Sequence, residues 1–280
     1  MIPLSMFPIR RSPGLCVLLL ALAAGCRPEA PRPGERSLTV FAAASLAEPF
    51  GEMATAFERS GGGIPVRLNV AGSQQLAAQI VRGAVADVFA AADRDAMKFT
   101  ADRGRVLEPA VLARNRLVVV AAARPDVDAV LVSLLNLATP GLKLVLAAPE
   151  VPAGRYARQA LRNLSRAPGY GAEYADRVLE NVVSDEVDVR AVLTKVKLGE
   201  ADAGIVYASD VAGDGAAAQL AGVRVIEIPE AYDVEAEYVI AQLRSVDDSA
   251  AAAAFIGFAL GPAGQAILER HGFLRRRTTP

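Results

Sequence analysis

From Ser37 onward the chain alternates short apolar runs with segments whose apolar positions recur every three to four residues. The first pattern reads as buried strands, the second as helices with one face against a core. Strands are predicted at Leu38–Ala42, Val66–Val70, Asp87–Ala91, Leu117–Ala121, Lys143–Ala147, Asn181–Ser184, Ala203–Tyr207, Val223–Ile228 and Glu237–Ala241. Helices are predicted at Leu46–Arg59, Gln75–Gly83, Arg94–Arg103, Gly154–Asn163, Val189–Leu198 and Ala250–His271. In the Val189 segment Val189, Val192, Leu193 and Val196 share one face, Asp188 stands where an N-cap belongs, and Gly199 follows as the stop. Gly and Pro mark loops at Gly61–Pro65, Pro140–Gly141, Pro168–Gly171 and Gly213–Gly215.

Strand and helix in alternation make an α/β protein with mostly parallel sheets covered on both faces. The strands are too many for one small sheet and no repeat is visible, so two lobes are expected. Lobe I takes residues 37–115 and 233–277, and lobe II takes residues 116–232. The crossings are placed at the apolar run "RLVVVAAA" and the return "YDVEAEYVIA".

The N-terminus is a separate matter. Arg10 and Arg11 precede an apolar stretch, Leu15 to Ala24, that is too short to span a bilayer and fits an export signal over residues 1–25. The signal ends "LAAGC", a form of the bacterial lipobox with Ala23 where Leu is usual, so Cys26 is expected to carry a lipid. Residues 26–36 then form a Pro-rich polar tether. No cysteine lies beyond Cys26, which excludes a disulfide framework or a thiolate metal site in the remainder. The net charge of -1, with basic residues clustered only at Arg275–Arg277, argues against nucleic acid.

Candidate chemistry sits where strands or loops open into helices. The segments are "AAASLAE" at Ser45, "AGSQQLA" at Ser73, "PEVPAGRYA" around Ala153 and "DEVDVRAVL" around Val189, with "GIVYASD" ending a strand at Tyr207. Helix starts carry unpaired N–H groups and partial positive charge, so several aimed at one point would hold an anion. Taken singly, each has a plainer reading. Ser45 with Glu48 forms a capping-box pattern, Ser73 suits an ordinary cap, and Tyr207 suits a core aromatic. A hydrolase is disfavoured: the one histidine, His271, lies near the C-terminus, and no G-x-S-x-G surrounds either serine. No metal-ligand spacing, P-loop or dinucleotide fingerprint is present.

The motifs "TVFAAASL", "AGSQQLAAQI", "GAVADVFAAAD", "NRLVVVA", "PEVPAGRYARQAL", "DEVDVRAVL" and "GIVYASD", with the closing "RHGF", together resemble the molybdate-binding proteins of bacterial ABC importers. The resemblance implies a two-lobed type II periplasmic-binding-protein fold with the ligand cleft between lobes. It implies a monomeric, non-enzymatic receptor on the outer side of the membrane, needing no cofactor. Its ligand would be molybdate or tungstate, delivered to a permease driven by a cytoplasmic ATPase; sulfate or thiosulfate is the alternative. The implied donors are the hydroxyl and N–H of Ser45 and Ser73, the N–H of Ala153 and Val189, and the hydroxyl of Tyr207. No cation would be coordinated directly, since the ligand is held through its oxygens.

Overall fold

The structure, a computed structural model, describes residues 37–62, 64–212, 220–244 and 249–277. The export signal, Cys26, the tether and the Gly213–Gly215 loop lie outside the described residues. Two five-stranded mixed sheets organise what is described. The first contains β1 (Leu38–Ala43), β2 (Val66–Ala71), β3 (Val88–Ala91), β4 (Ala110–Asn115) and β10 (Ala236–Gln242), in the order β2-β1-β3-β10-β4. The second contains β5 (Leu117–Ala122), β6 (Leu144–Ala147), β7 (Val182–Glu186), β8 (Ala203–Tyr207) and β9 (Val223–Glu227), in the order β7-β6-β8-β5-β9.

The two sheets share one plan. In each, three neighbouring strands run parallel, β2-β1-β3 and β7-β6-β8, and the strands beyond them pair antiparallel. Each sheet with its helices is a lobe. The chain passes from the first sheet to the second at Arg116 and returns between β9 and β10.

Nine α-helices surround the sheets among the described residues: α1 (Ala47–Phe57), α2 (Ser73–Val81), α3 (Arg94–Ala101), α4 (Pro125–Val130), α5 (Pro152–Leu164), α6 (Tyr174–Glu180), α7 (Val189–Lys197), α8 (Ser249–Leu260) and α9 (Pro262–Arg270). Strand alternation explains why β1 needs cover on both faces. Val40 and Ala42 join the cluster holding Phe50, Met53 and Phe57 of α1 and Phe255 of α8, while Phe41 joins Leu76 and Ile80 of α2. Edge-on rings tie α1 to α8, Phe57 to Phe255 at 5.4 Å and Phe50 to Phe255 at 5.9 Å.

Four elements depart from the pattern reading. β4 has no predicted counterpart, because its position at the sheet edge leaves it only partly buried and "AVLARN" lacks an apolar period. α4 and α6, also unpredicted, are only six and seven residues long, too short for a helical period to stand out. The predicted Ala250–His271 helix is two helices bent by 56°. Pro262, which has no N–H to donate, opens the second of them after Gly261.

Candidate functional site

The C-terminal ends of the parallel strands in both lobes turn toward the same cleft, and five of them, β3 into α3 among them, lead into helix starts. In open α/β sheets this is where ligands bind, because helix N-termini collect there. β1 runs into a tight turn at Ala44–Leu46 and then α1; β2 leads through Gly72 to α2; β6 leads to α5 and β7 to α7. Ser45, Ser73, Ala153, Val189 and Tyr207 all line one small pocket, together with Ala43, Ala44, Gly72, Ala92, Val151, Pro152 and Asp188. Its free volume, about 20 Å³, suits a compact ion and not an organic molecule. No lysine or arginine lines it.

Two of the hydroxyls in this pocket, those of Ser73 and Tyr207, are set up to donate. The Ser73 oxygen accepts the backbone N–H of Ala92 at 2.9 Å, which leaves the serine hydrogen free. The Ser45 oxygen lies 2.7 Å from the Tyr238 hydroxyl. The buried Tyr207 hydroxyl has no hydrogen-bond partner, and burial pushes its pKa well above the usual range, so it stays a phenol. A buried hydroxyl without a partner is costly, and one facing a pocket points to a missing acceptor. Ala153 and Val189 contribute first-turn N–H groups, which have no acceptor inside their own helices. Asp188, a carboxylate beside an anion-sized pocket, is engaged as the cap of α7: its Oδ1 accepts the Ala191 N–H at 3.0 Å.

The plainer readings of the serines do not hold. Ser45 makes no cap bond, and Glu48 pairs instead with both terminal nitrogens of Arg190 across the cleft, each at 2.5 Å. Ser73 is the first residue of α2, whose cap position is taken by Gly72. Arg155, the cation nearest in sequence to Ala153, is engaged by Asp93 and Asp95 of the first lobe. His271 bonds Glu52 at 2.9 Å and not a serine, so Ser45 has no base in hydrogen-bond contact.

Sequence reasoning missed Gly72 and Tyr238. A Cβ on Gly72 would lie 2.9 Å from the Val187 carbonyl of the other lobe, so only glycine permits that approach. Tyr238 sits in the apolar strand β10 and reads as core; its partner Ser45 is 193 residues away in the chain. No local signal marks it.

A match to the family described as bacterial extracellular solute-binding protein spans residues 38–274. The chain belongs to this family. It is accordingly a binding protein and not an enzyme, with a solute and no cofactor at its centre. This solute-binding protein is 37% identical over 249 residues to the molybdate-binding protein ModA of Mycobacterium bovis, covering 89% of this chain and 88% of the relative. In fold it is similar to a periplasmic molybdate-binding protein of Azotobacter vinelandii, with a TM-score of 0.73 and 22% identity over 86% of this chain and all (100%) of that one. The sulfate-binding protein SubI of Mycobacterium tuberculosis is similar at a TM-score of 0.74 and 17% identity, covering 85% and 86% of the two chains.

Proposed function

We propose that this protein is an extracytoplasmic receptor that encloses molybdate, and tungstate with it, between its lobes and delivers it to an ABC permease. The observation that carries the reading is the pocket itself. Donors from both lobes meet there without a single cationic side chain, and one of them, the Tyr207 hydroxyl, is buried without an acceptor. Uncharged, fixed donors can hold a dianion, since each charge-assisted bond contributes about 1.5–3 kcal/mol and half a dozen suffice for tight binding. They favour an acceptor-only anion and penalise a protonated one, whose hydrogen finds no acceptor. The 37% identity to a protein named for molybdate supports this anion over sulfate, which is smaller. A ferric reading would require phenolates, and burial keeps both Tyr207 and Tyr238 protonated.

In this reading Arg116 and the return between β9 and β10 form the hinge. The protein works as a monomer, held at the outer membrane face by lipid on Cys26; an unmodified mature N-terminus in mass spectrometry would remove the anchor. Calorimetric titration of the purified protein with molybdate, tungstate, sulfate and phosphate tests the ligand. Tight binding of the first two and weak or absent heat from the others is expected. Sulfate binding more tightly than molybdate would reassign the receptor to the smaller anion.

A further inference from the structure

We propose that Arg155 and Arg190 are capture residues: before the lobes close they draw the anion onto the second lobe, and closure then cancels their charge against first-lobe carboxylates. The inference rests on the reading of the protein as a receptor that encloses an oxyanion. Neither arginine lines the pocket, yet each stands within two residues of a donor. Arg155 follows Ala153 in the first turn of α5, and Arg190 follows Val189 in the first turn of α7. A helix start favours acidic residues and disfavours cations, because its own end is positive. Neither α5 nor α7 has an acidic residue in its first turn. Both arginines therefore stand against the local rule, which is where a functional constraint is expected.

The first lobe carries the opposite sign. Glu48 lies in the first turn of α1, three residues after Ser45, while Asp93 caps α3 directly after Ala92 of the pocket and Asp95 lies in its first turn. These are the carboxylates that the arginines meet. Arg190 holds Glu48 through both terminal nitrogens at 2.5 Å, and Arg155 pairs with Asp93 and, at 3.5 Å, with Asp95. Inside its own lobe Arg155 bonds an uncharged group, the Glu150 carbonyl, at 2.7 Å. Two second-lobe carboxylates lie close by, Asp188 and Asp210, and each is spent on a backbone N–H, of Ala191 at 3.0 Å and of Tyr207 at 2.9 Å. Lys197 lines the same cavity as Arg190 and Asp210 and adds a positive charge to that side. Arg94, between Asp93 and Asp95, is held by Glu237 of its own lobe.

Parting the lobes, as the receptor reading requires, separates these charges. The second lobe keeps Ala153, Val189 and Tyr207 with Arg155 and Arg190 beside them. The first keeps Ser45 and Ser73 beside Glu48, Asp93 and Asp95. A dianion is drawn to the one face and repelled by the other, because charges act on a ligand before it makes contact. Closure then lays the carboxylates on the arginines, so the anion ends among neutral donors with the flanking charges paired. The bridges thus set an order of events: capture on the second lobe, then arrival of the first.

Association and dissociation rates of molybdate on the purified protein test this, followed by stopped-flow tyrosine fluorescence; the chain has no tryptophan, and Tyr207 lies in the pocket. Arg190→Gln should slow association about three- to tenfold at low ionic strength, with the difference gone near 1 M salt. Arg190→Lys should keep most of the wild-type association rate, since steering needs the charge and not the planar fork. Glu48→Gln breaks the same bridge from the other lobe, and should associate at least as fast as wild type while dissociating faster. A latch that served closure alone would make the two partners behave alike. Equal slowing in Arg190→Gln and Glu48→Gln would therefore overturn the proposal, as would wild-type association in Arg190→Gln. Arg155→Gln should slow association in the same way, but it leaves the buried Asp93 without its cation. If it does not fold, the Arg190 variants decide, because Arg190 and Glu48 are both partly exposed. Absence of any molybdate heat from the wild type in calorimetry would end the receptor reading and the capture order with it, whereas binding with unaltered rates ends the capture order alone.

Discussion

At the scale of the residue, the side chains that matter are those whose hydrogen-bonding capacity is incomplete without a ligand. Tyr207 is the sharpest case. Tyr207→Phe should weaken molybdate by about 1–3 kcal/mol, yet raise the melting temperature of the ligand-free protein slightly, because a buried hydroxyl with no partner is removed. Calorimetry and thermal melts without ligand check the two halves; a lower melting temperature would mean the hydroxyl has a structural partner. Asp210 carries a second prediction. It accepts the Tyr207 N–H at 2.9 Å, and burial pushes its pKa up to about 7, with Arg190 opposing and Glu48 and Asp188 reinforcing the shift. The unfolded value is about 3.9. The folded state therefore binds the proton more tightly, so this contribution to stability is complete below pH ~4 and is lost as pH rises through 7. Asp210→Asn should melt higher than wild type at pH 8 and converge with it near pH 4. A constant offset across that range would mean that Asp210 does not titrate there.

At the scale of the element, each donor depends on how its helix is seated. Gly154 shows this for α5: a Cβ there would come within 2.2 Å of the Ala147 carbonyl and 2.1 Å of that of Ala148, so the helix start rests directly on the end of β6. Backbone carbonyls cannot swing aside as a side chain can. Gly154→Ala should therefore destabilise by about 1–3 kcal/mol or more. It should also weaken molybdate by lifting the Ala153 N–H away from the pocket. Chemical denaturation and calorimetry would measure both; unchanged stability would mean that the strand end yields more easily than its close packing implies. By contrast, replacing the Val189 side chain with one of similar size should leave binding alone, since only its N–H is used.

At the scale of the whole molecule, the lobes touch around the pocket through polar bridges. Glu48 of α1 grips Arg190 of α7, Arg155 of α5 meets Asp93 and Asp95, and the Gln74 amide donates to the Val187 carbonyl at 3.1 Å. A partly exposed pair such as Glu48–Arg190 is individually weak, about 0–1 kcal/mol, and is screened by salt. A pair of that kind biases closure without locking it, which suits the proposed role of a receptor that must release its ligand. Glu48→Gln should weaken molybdate about two- to fivefold at low ionic strength, with the difference fading near 1 M salt. A deficit that persists at high salt would point to packing and not charge.

Much of this was legible in the chain order. Apolar runs such as "LVVVAA" must be buried on both faces, so the strand and helix alternation and the α/β class follow from period alone. The cap of α7 at Asp188 and the stop at Gly199, with its positive φ of 73°, are local chemistry and were readable as such. Ala153 and Val189 carry no signal in their side chains, and only resemblance singled them out. Convergence was decided elsewhere. Ser45 and Ser73 carry cap-like local patterns, and it took tertiary packing to give Glu48 to Arg190 and Ala92 to Ser73. The Tyr238 bond to Ser45 spans 193 residues, and no local pattern encodes a partner so distant. Period and capping arise from neighbours within a turn or two, whereas the pocket exists only where two separately wound sheets bring their strand ends together.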